Sequence, residues 1–432
     1  MSTILPSIEP LAPSSETGTV PARRLSSLLL ALTAAASLVA WWAGPAIGKW
    51  AFDYPRAWQI PAARHIGGWM KWLVNEASFG LFSFTDFTRF LAALIDIPYT
   101  LALSLLSTGF LSGQGSAAVQ IVPPLSFLGV IALVGLMGYH AGGRRLSALM
   151  VFCFGFLAVF GQWTSAMVTL ASILVAVPIG VAFGLLLGLL AYRLPLFERA
   201  ITPLLDLMQT IPIFAYLVPI LFFFGFGPTA AIVGTLIYAM PPMVRITVVG
   251  LRAVPSEIRD LGHMVGCSRR QMTWKVMVPS ASDALMVGVN QVIMLSLNMV
   301  IIASMIGAGG LGFDVLAALR RLDIGAGLQA GFAIVALAVA LDRVSQAYAK
   351  KAGTSAPAGL SGNILQRHPY LIASVGMIGI GLVASLLSPQ LAAYPEALTL
   401  STGTFWNEVV KWINVNFFDV LEAARTTILI HL

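Results

Sequence analysis

The residues that could bind or react in this chain are one basic insert and two groups of polar side chains within apolar sequence. The insert, DLGHMVGCSRRQMTWKVMVP, runs from Asp260 to Pro279 between two long uncharged stretches. The polar groups lie in those stretches and consist of Gln209, Thr210 and Tyr216, and of Asn290, Gln291, Ser296 and Asn298. Amides and hydroxyls exchange hydrogen bonds with a solute, with water or with another helix, but they are not strong acids or bases.

Patterns typical of catalysis or metal binding do not occur. The chain has no H-E-x-x-H, no phosphate-binding loop and no G-x-S-x-G. Its two cysteines, Cys153 in an apolar segment and Cys267 in the insert, favour neither a disulfide framework nor a metal site. We therefore expect no catalytic residue, no metal and no cofactor in this chain.

Composition predicts an all-α, polytopic helical membrane protein. The chain is 58% hydrophobic and 10% charged, whereas soluble domains have about 25% charged residues. Several uncharged stretches exceed the roughly 20 residues that a helix needs to cross a bilayer. The net charge of +7 fits basic cytoplasmic loops better than it fits nucleic-acid binding.

Basic clusters predict the topology, because Lys and Arg collect on the cytoplasmic side. The clusters are Arg144–Arg145, Arg193 with Arg199, the insert with Arg252 and Arg259, and Lys350–Lys351 with Arg367. About nine spans place them all inside, near 25–44, 122–139, 146–162, 165–191, 203–226, 228–250, 285–307, 325–345 and 369–388. Arg320 and Arg321 then lie outside, as an exception.

The first 112 residues divide into three parts. Residues 1–22 are predicted to be a disordered tail, and 23–60 a first span with an extracytoplasmic linker, although 25–44 could instead be a signal peptide. Residues 61–112 are rich in aromatic side chains, which suit the membrane interface. We expect an interfacial amphipathic region there. The alternative is one more span, with the N-terminus outside.

The insert is predicted to be a helix–turn–helix. Pro255 and Ser256 begin the first helix, with Ser256 as its cap, and Gly266 ends it after about Val265. Ser268 caps a second helix that ends before Pro279. A solvated connector is the alternative, but two ordered short helices favour a docking surface.

This insert resembles the cytoplasmic coupling loop of binding-protein-dependent ABC importer permeases. The family pattern is Glu-Ala-Ala, three residues, Gly, nine residues and Ile-x-Leu-Pro. Here Asp260-Leu261-Gly262 replaces the head, Gly266 keeps its place, and Val276-Met277-Val278-Pro279 ends the pattern. Stretches 203–247, 288–327 and 340–347 look like the glycine betaine/proline branch, and the likeness covers about 65–350.

The resemblance implies a fold, partners and site residues. It implies a type I permease core over 113–350, whose coupling loop, 251–284, docks a cytoplasmic ATPase that binds ATP and Mg²⁺. It further implies an external solute-binding protein and a second permease copy. The implied solutes are quaternary amines and compatible solutes such as glycine betaine, choline, carnitine, proline or trimethylamine N-oxide. The implied coupling residues are Asp260, Leu261, Gly262, Gly266, Val276, Val278 and Pro279.

Several residues could line a permeation path. Pro212 and Pro219 interrupt a membrane segment, and such breaks persist where they face protein or water. The possible path residues are Gln209, Thr210, Tyr216, Tyr238, Asn290, Gln291, Asn298 and Ser304. Hydrogen bonding between helices is an equal alternative for Gln209, Thr210 and Tyr216, and tight packing of small residues is an equal alternative for the second polar group with the glycines of SMIGAGGLG, 304–312.

Two other functions remain open at this point. The first is an ABC permease for amino acids or another small solute. The second is an ion-coupled secondary transporter, against which the long uncharged spans argue, since such carriers often use intramembrane acids.

The C-terminal part extends beyond the permease core. Residues 351–403 are predicted to be a linker with an extra span. Residues 404–432 resemble 67–95, with Lys411-Trp412 against Lys71-Trp72. They could begin a second permease repeat, or the likeness could be chance between two aromatic helices.

The topology predicts that 45–112 lies mainly outside. In a background without cysteine, single cysteines at Ser78 and Ser112 should react with an impermeant thiol reagent added to intact cells. Labelling only after permeabilisation would contradict this placement.

Overall fold

The protein is described by a computed structural model that covers residues 30–39, 61–78, 80, 82–113, 119–304, 306–354, 369–387 and 394–431. The predicted tail, 1–22, and much of the predicted linker, including 355–368, lie outside the described residues. The chain divides into two units, Met1–Trp69 and Met70–Leu432. Only the second contains the predicted functional residues.

The described residues are almost entirely helical, as predicted. A short antiparallel pair, β1 (Phe110–Ser112) and β2 (Val119–Val122), interrupts the helices. The helices are α1 (Leu30–Val39), α2 (Ala62–Asn75), α3 (Phe84–Leu103), α4 (Phe127–Val159), α5 (Trp163–Arg193), α6 (Pro195–Thr210), α7 (Ile213–Phe224), α8 (Pro228–Arg252), α9 (Ser256–Met264), α10 (Arg269–Ser280), α11 (Ser282–Ser304), α12 (Leu311–Arg321), α13 (Ile324–Thr354), α14 (Pro369–Leu387), α15 (Gly403–Asn416) and α16 (Phe418–His431).

Among the described residues, five helices are long and apolar enough to cross a membrane, or up to seven if each of two bent pairs counts as one span. The bent pairs are α6 with α7, at 105°, and α10 with α11, at 73°. The multi-span class is thus confirmed, whereas the count of nine stays a prediction. Helix α3 with its π-helical extension, Phe84–Thr108, is one of the five. The interfacial placement of 61–112 therefore also stays a prediction.

Helix α4 is a hairpin rather than a rod. Its backbone leaves the helical range at Gly142 and Gly143, and Gly143 has a φ of 76°. The Ser147 hydroxyl donates to the Gly135 carbonyl at 2.8 Å, a contact that only a reversal of the chain permits. Two arms, as predicted for 122–139 and 146–162, meet at a turn marked by Arg144 and Arg145.

The centre of the bundle is formed by α5, α8 and α11. Gly184 and Gly188 of α5 lie so close to α8 that a Cβ would come within 2.7 Å of Met243 and 2.5 Å of Thr247. Gly250 of α8 lies equally close to α11, where a Cβ would approach that of Ala284 to 2.7 Å. Small residues allow this approach, which gains dispersion contacts where lipid offers no hydrophobic driving force.

The two ends of the bundle differ in charge. Lys351 donates to the His140 carbonyl at 2.8 Å, and Arg193 donates to the Arg269 carbonyl at 3.3 Å. These bonds join the α4 turn to α13 and the α5–α6 turn to the insert. Because α5 returns from the far end of α4, the described residues of all four basic clusters lie at one end, called here the basic end; Arg367 lies outside the described residues. Arg321 lies at the opposite end with Gly161, in agreement with its predicted position.

The C-terminal helix α15 packs on α13 at the end opposite the basic end. The Asn407 amide donates to Asp323 at 2.9 Å and accepts from the Gly325 N–H at 2.7 Å. The Ala326 N–H and the Asn407 amide hold the pKa of Asp323 below its usual value. Asp323 and Asn407 thus satisfy two N–H groups that a helix start leaves unpaired. Whether 404–432 begins a second repeat stays a prediction.

This packing predicts that Gly325→Ala releases α15. A Cβ at Gly325 would overlap the Gly403 carbonyl, whereas a Cβ at Gly331 of the same helix meets nothing within 4 Å. Hydrogen exchange at 403–416 should therefore rise about tenfold or more in Gly325→Ala, because a hydrogen bond and its packing are worth about 1–2 kcal/mol. Gly331→Ala is the matched control. Equal exchange in the two variants would contradict the docking.

Candidate functional site

The first helix of the insert, α9, begins one residue earlier than predicted. Pro255 occupies the cap position and Ser256 the first helical position, with no side-chain cap bond. The prediction that Ser256 caps this helix is therefore wrong. Pro255 has a fixed φ, which favours the start of a helix, so α9 begins without a capping hydroxyl. Glu257 lies in the first turn, where the helix dipole favours an acid.

The turn at Gly266 is confirmed. Gly266 has a φ of 77°, and nothing lies within 4 Å of where its Cβ would be. Its N–H donates to the His263 carbonyl, and the Cys267 N–H donates to the Gly262 carbonyl, both at 3.0 Å. This is the usual glycine helix end, and another L-residue there costs about 1–2 kcal/mol.

The second insert helix, α10, starts as predicted and ends later. Ser268 forms a capping box with Gln271, in which the Ser268 N–H donates to Oε1 at 2.8 Å and the Gln271 N–H donates back at 3.3 Å. The prediction that the helix ends before Pro279 is wrong. The chain turns as a π-helix over Met272–Met277 and continues to Ser280. Pro279 lies at the start of the last α-helical turn, where proline is tolerated, and the Ala281 N–H still reaches the Met277 carbonyl at 3.0 Å.

Gly262 explains the departure of the insert from the family's Glu-Ala-Ala head. It is buried, and a Cβ there would lie 2.6 Å from Met272 Cε. The glycine therefore lets α9 and α10 approach closely, with Met272 filling the space that an alanine methyl would need. A side chain at this position must displace Met272, which is flexible.

The insert presents apolar side chains to its surroundings. Leu261, Met264 and Val265 are 57%, 78% and 73% exposed, and they share one face of α9 through the spacing i, i+3, i+4. Trp274 of α10 is also exposed. Sequence reasoning named Leu261 but missed Met264, Val265 and Trp274. Large apolar side chains beside basic loops do not face the lipid core, and exposed apolar groups of this kind mark interaction sites.

The insert is firmly attached to the bundle. Met277 and Ala281 are buried in one cluster with Leu189 of α5, Leu251 of α8 and Leu285 of α11. The Arg193 side chain donates to the Thr273 hydroxyl of the insert, and at the same end Arg252 of α8 pairs with Glu198 of α6 at 2.6 Å. A displacement of α9 and α10 must therefore move the basic ends of α5, α8 and α11.

The remaining predicted coupling residues have mixed exposure. Asp260 and Pro279 are exposed, whereas Val276 and Val278 are partly buried and Val278 packs against the Met277 cluster. Asp260 and Leu261 can thus contact a partner directly. The two valines hold α10 in place.

The predicted path residues do not form one group. Gln209, Thr210, Gln291 and Asn298 are exposed in this chain. Asn290 accepts a hydrogen bond from Ser345 of α13, so it links two helices. Tyr238 is partly buried and Ser304 is buried, while the buried Tyr216 hydroxyl has no partner among the described residues.

The break at Pro212 is confirmed, since α6 and α7 meet there at 105°. Pro219 lies inside α7 without interrupting it. The glycines of 304–312 allow a close approach: a Cβ at Gly310 would overlap the Thr169 hydroxyl, which accepts the Leu311 N–H at 3.0 Å.

A small cavity lies between α5, α8 and α11. It measures about 20 Å³, and its polar lining is Thr169, Ser172, Thr235 and Ser296. Ser296 is 1% exposed and its hydroxyl has no partner among the described residues. The cavity has room for about one water molecule, not for an organic solute. Thr169, Ser172 and Thr235 were not singled out from the sequence, where a hydroxyl in an apolar helix is an unspecific signal.

Comparisons with known proteins agree with these features. The family described as binding-protein-dependent transport system inner membrane component matches residues 180–353. The glycine betaine transport system permease protein OpuAB of Bacillus subtilis is 38% identical over 241 residues, 55% of this chain and 86% of OpuAB. The glycine betaine/proline betaine permease ProW of Escherichia coli is 42% identical over 217 residues, 50% of this chain and 61% of ProW.

A longer relative aligns with more of this chain. The trimethylamine N-oxide transport system permease protein TmoV of Pelagibacter ubique is 37% identical over 319 residues, 72% of this chain and 44% of TmoV. The chain thus spans less than half the length of this relative. The matched family region includes the insert, α11 and α13. The chain belongs to the binding-protein-dependent transport system inner membrane components, and it is a multi-pass membrane protein of this family.

Proposed function

We propose that this chain is the permease subunit of an ATP-driven importer for quaternary amines and related compatible solutes. The observation that carries this proposal is the insert, whose two ordered helices expose apolar side chains at the basic end. The names of the relatives support the solute class, since they specify trimethylamine N-oxide, glycine betaine, proline betaine and, for GbuB of Listeria monocytogenes, carnitine.

The insert docks a cytoplasmic ATPase subunit. Leu261, Met264 and Val265 enter an apolar recess of the partner, and the basic side chains Arg269 and Arg270 lie at the start of α10. ATP and Mg²⁺ are bound by the partner, because this sequence contains no phosphate-binding loop. Interfaces of this form place an apolar anchor in the centre and charges at the rim.

Closure of the ATPase subunits moves the insert, and the buried cluster around Met277 passes that motion to the bundle. The 73° bend between α10 and α11 turns a displacement along the membrane surface into a tilt of α11. Bundle interiors have discrete packing arrangements rather than continuous ones. The helices therefore rock between two arrangements around a path shared with a second permease copy.

The solute arrives from an external solute-binding protein. The central cavity near Ser296 is too small for a quaternary amine, so this conformation does not hold the solute there. Aromatic faces favour such cations, and Tyr216 and Tyr238 are the aromatic residues among the predicted path residues; both pack against the core of the bundle. Ligand binding by the partner solute-binding protein identifies the solute.

Two changes in the insert should uncouple transport while leaving the chain in the membrane. Gly266→Pro replaces a φ of 77° by one near −65°, which reorients α10. Met264→Glu with Val265→Glu puts charges on exposed positions and leaves the fold intact, because such surface changes cost less than about 0.5 kcal/mol. Copurification of the ATPase and solute uptake should each fall about tenfold or more, the usual effect of losing interface anchors.

Leu319→Glu is the matched control, since Leu319 is an exposed apolar residue of α12, the helix that ends at Arg321 opposite the basic end. This variant should keep the ATPase bound. Normal uptake in the Met264→Glu/Val265→Glu variant would defeat the coupling role. Loss of ATPase in the Leu319→Glu variant would show that the effect is not specific to the insert.

A further inference from the structure

A cleft at the basic end lies between the α4 turn and the last turns of α13. It has a volume of about 660 Å³, and four of its lining side chains are basic, namely Arg145, Arg343, Lys350 and Lys351. None of the described residues that line it is acidic. Like charges held this close repel one another, so an anion in the cleft is favoured.

Lys351 is held in place by contacts within the chain, whereas Arg145 and Arg343 can pair with an anion in the cleft. Lys351 donates to the His140 carbonyl at 2.8 Å and lies 5.9 Å from the centre of the Tyr370 ring. Arg145 and Arg343 form no ion pair with any residue that the structure describes. Arg145 also lies in the first turn of the second arm of α4, where the helix dipole favours negative charge.

Next to the four basic side chains, the wall of the cleft is apolar. Leu146 and Leu149 form part of its wall. Beyond them, Phe152 continues the face of α4 and is 69% exposed, and Val339 and Val335 continue the Arg343 face of α13 and are also exposed. A strip of exposed apolar side chains therefore leads from the four cations towards the middle of the bundle's length.

We propose that this cleft binds an anionic phospholipid. Its phosphodiester headgroup lies among Arg145, Arg343, Lys350 and Lys351, and one acyl chain lies along Leu149 and Phe152. Basic pockets between membrane helices on the cytoplasmic side suit such headgroups. A soluble phosphate would use the cations and leave the apolar strip uncovered. A zwitterionic lipid would bring its own cation against four others.

Native mass spectrometry of the full chain, released from detergent, tests the proposal. Dioleoyl-phosphatidylglycerol is added at rising concentration, with dioleoyl-phosphatidylcholine as the competing lipid. The unmodified chain should retain one phosphatidylglycerol in preference. Arg145→Gln with Arg343→Gln should weaken that retention roughly thirtyfold, since each cation near a membrane surface contributes about a factor of five to anionic lipid binding.

Two further variants separate the cleft from general charge effects. Arg145→Lys with Arg343→Lys keeps the charge and should retain the lipid, which also shows that changes at these positions allow folding. Arg320→Gln removes a cation from the end of α12, away from the cleft, and should leave retention unchanged.

Three results would overturn the proposal. One is equal phosphatidylglycerol retention by the unmodified chain and the double glutamine variant. Another is displacement of the lipid by excess inorganic phosphate alone, which would indicate a site for a soluble anion. The third is loss of the copurifying ATPase with unchanged lipid retention in the double glutamine variant, which would make the cleft a protein-docking surface.

Discussion

One buried cluster attaches the insert to the bundle, and this attachment determines how the insert and the helices can move. Met277 and Ala281 pack against Leu189, Leu251 and Leu285, so the insert and three helix ends form one body. Glycines between α5 and α8 and between α8 and α11 bring the same helices together over much of their length. Interiors packed this closely transmit displacement instead of absorbing it. A loop held in this way can act as a lever, whereas a solvated connector cannot.

Much of this arrangement follows from local rules. The glycine turn at 266, the Ser268 capping box and the reversal near Arg144 each depend on a few neighbouring residues, and each was predictable from the sequence. The basic clusters likewise predicted which loops share an end, because charge cannot be placed inside the bilayer without cost. The coupling role of the insert was inferred from the resemblance to the family, because local sequence rules do not identify a partner.

Other features depend on partners distant in sequence. The extent of α10 past Pro279 is set by packing of Met277 in a cluster drawn from three other helices. Asn290 was named from the sequence as a possible path residue, and its hydrogen bond with Ser345, 55 positions away, is visible only in the fold. The exposure of Met264 and Val265 was missed because neither residue type is conspicuous in an apolar chain. Helical periodicity predicts which side chains share a face of a helix. Only the fold shows whether that face is buried or exposed.

The two ends of the bundle carry different features. The basic end carries the insert and the cationic cleft, so the proposed ATPase docking and the proposed lipid contact would both act on the ends of α5, α8, α11 and α13. The other end carries the glycine-rich turn before α12 and the α15 contact at Asn407. Between them lies a tight interior with a cavity of about 20 Å³.

The proposed contact between the insert and the ATPase subunit can be measured by disulfide crosslinking. Met264→Cys in a chain with Cys153→Ser and Cys267→Ser should crosslink to a single cysteine in the recess of the copurified ATPase. Leu319→Cys in the same background should not. The Met264→Cys crosslink should form, and its yield should change when ATP binds. A crosslink that forms equally from Leu319, or none from Met264 while the complex stays intact and transports, would contradict the proposed contact.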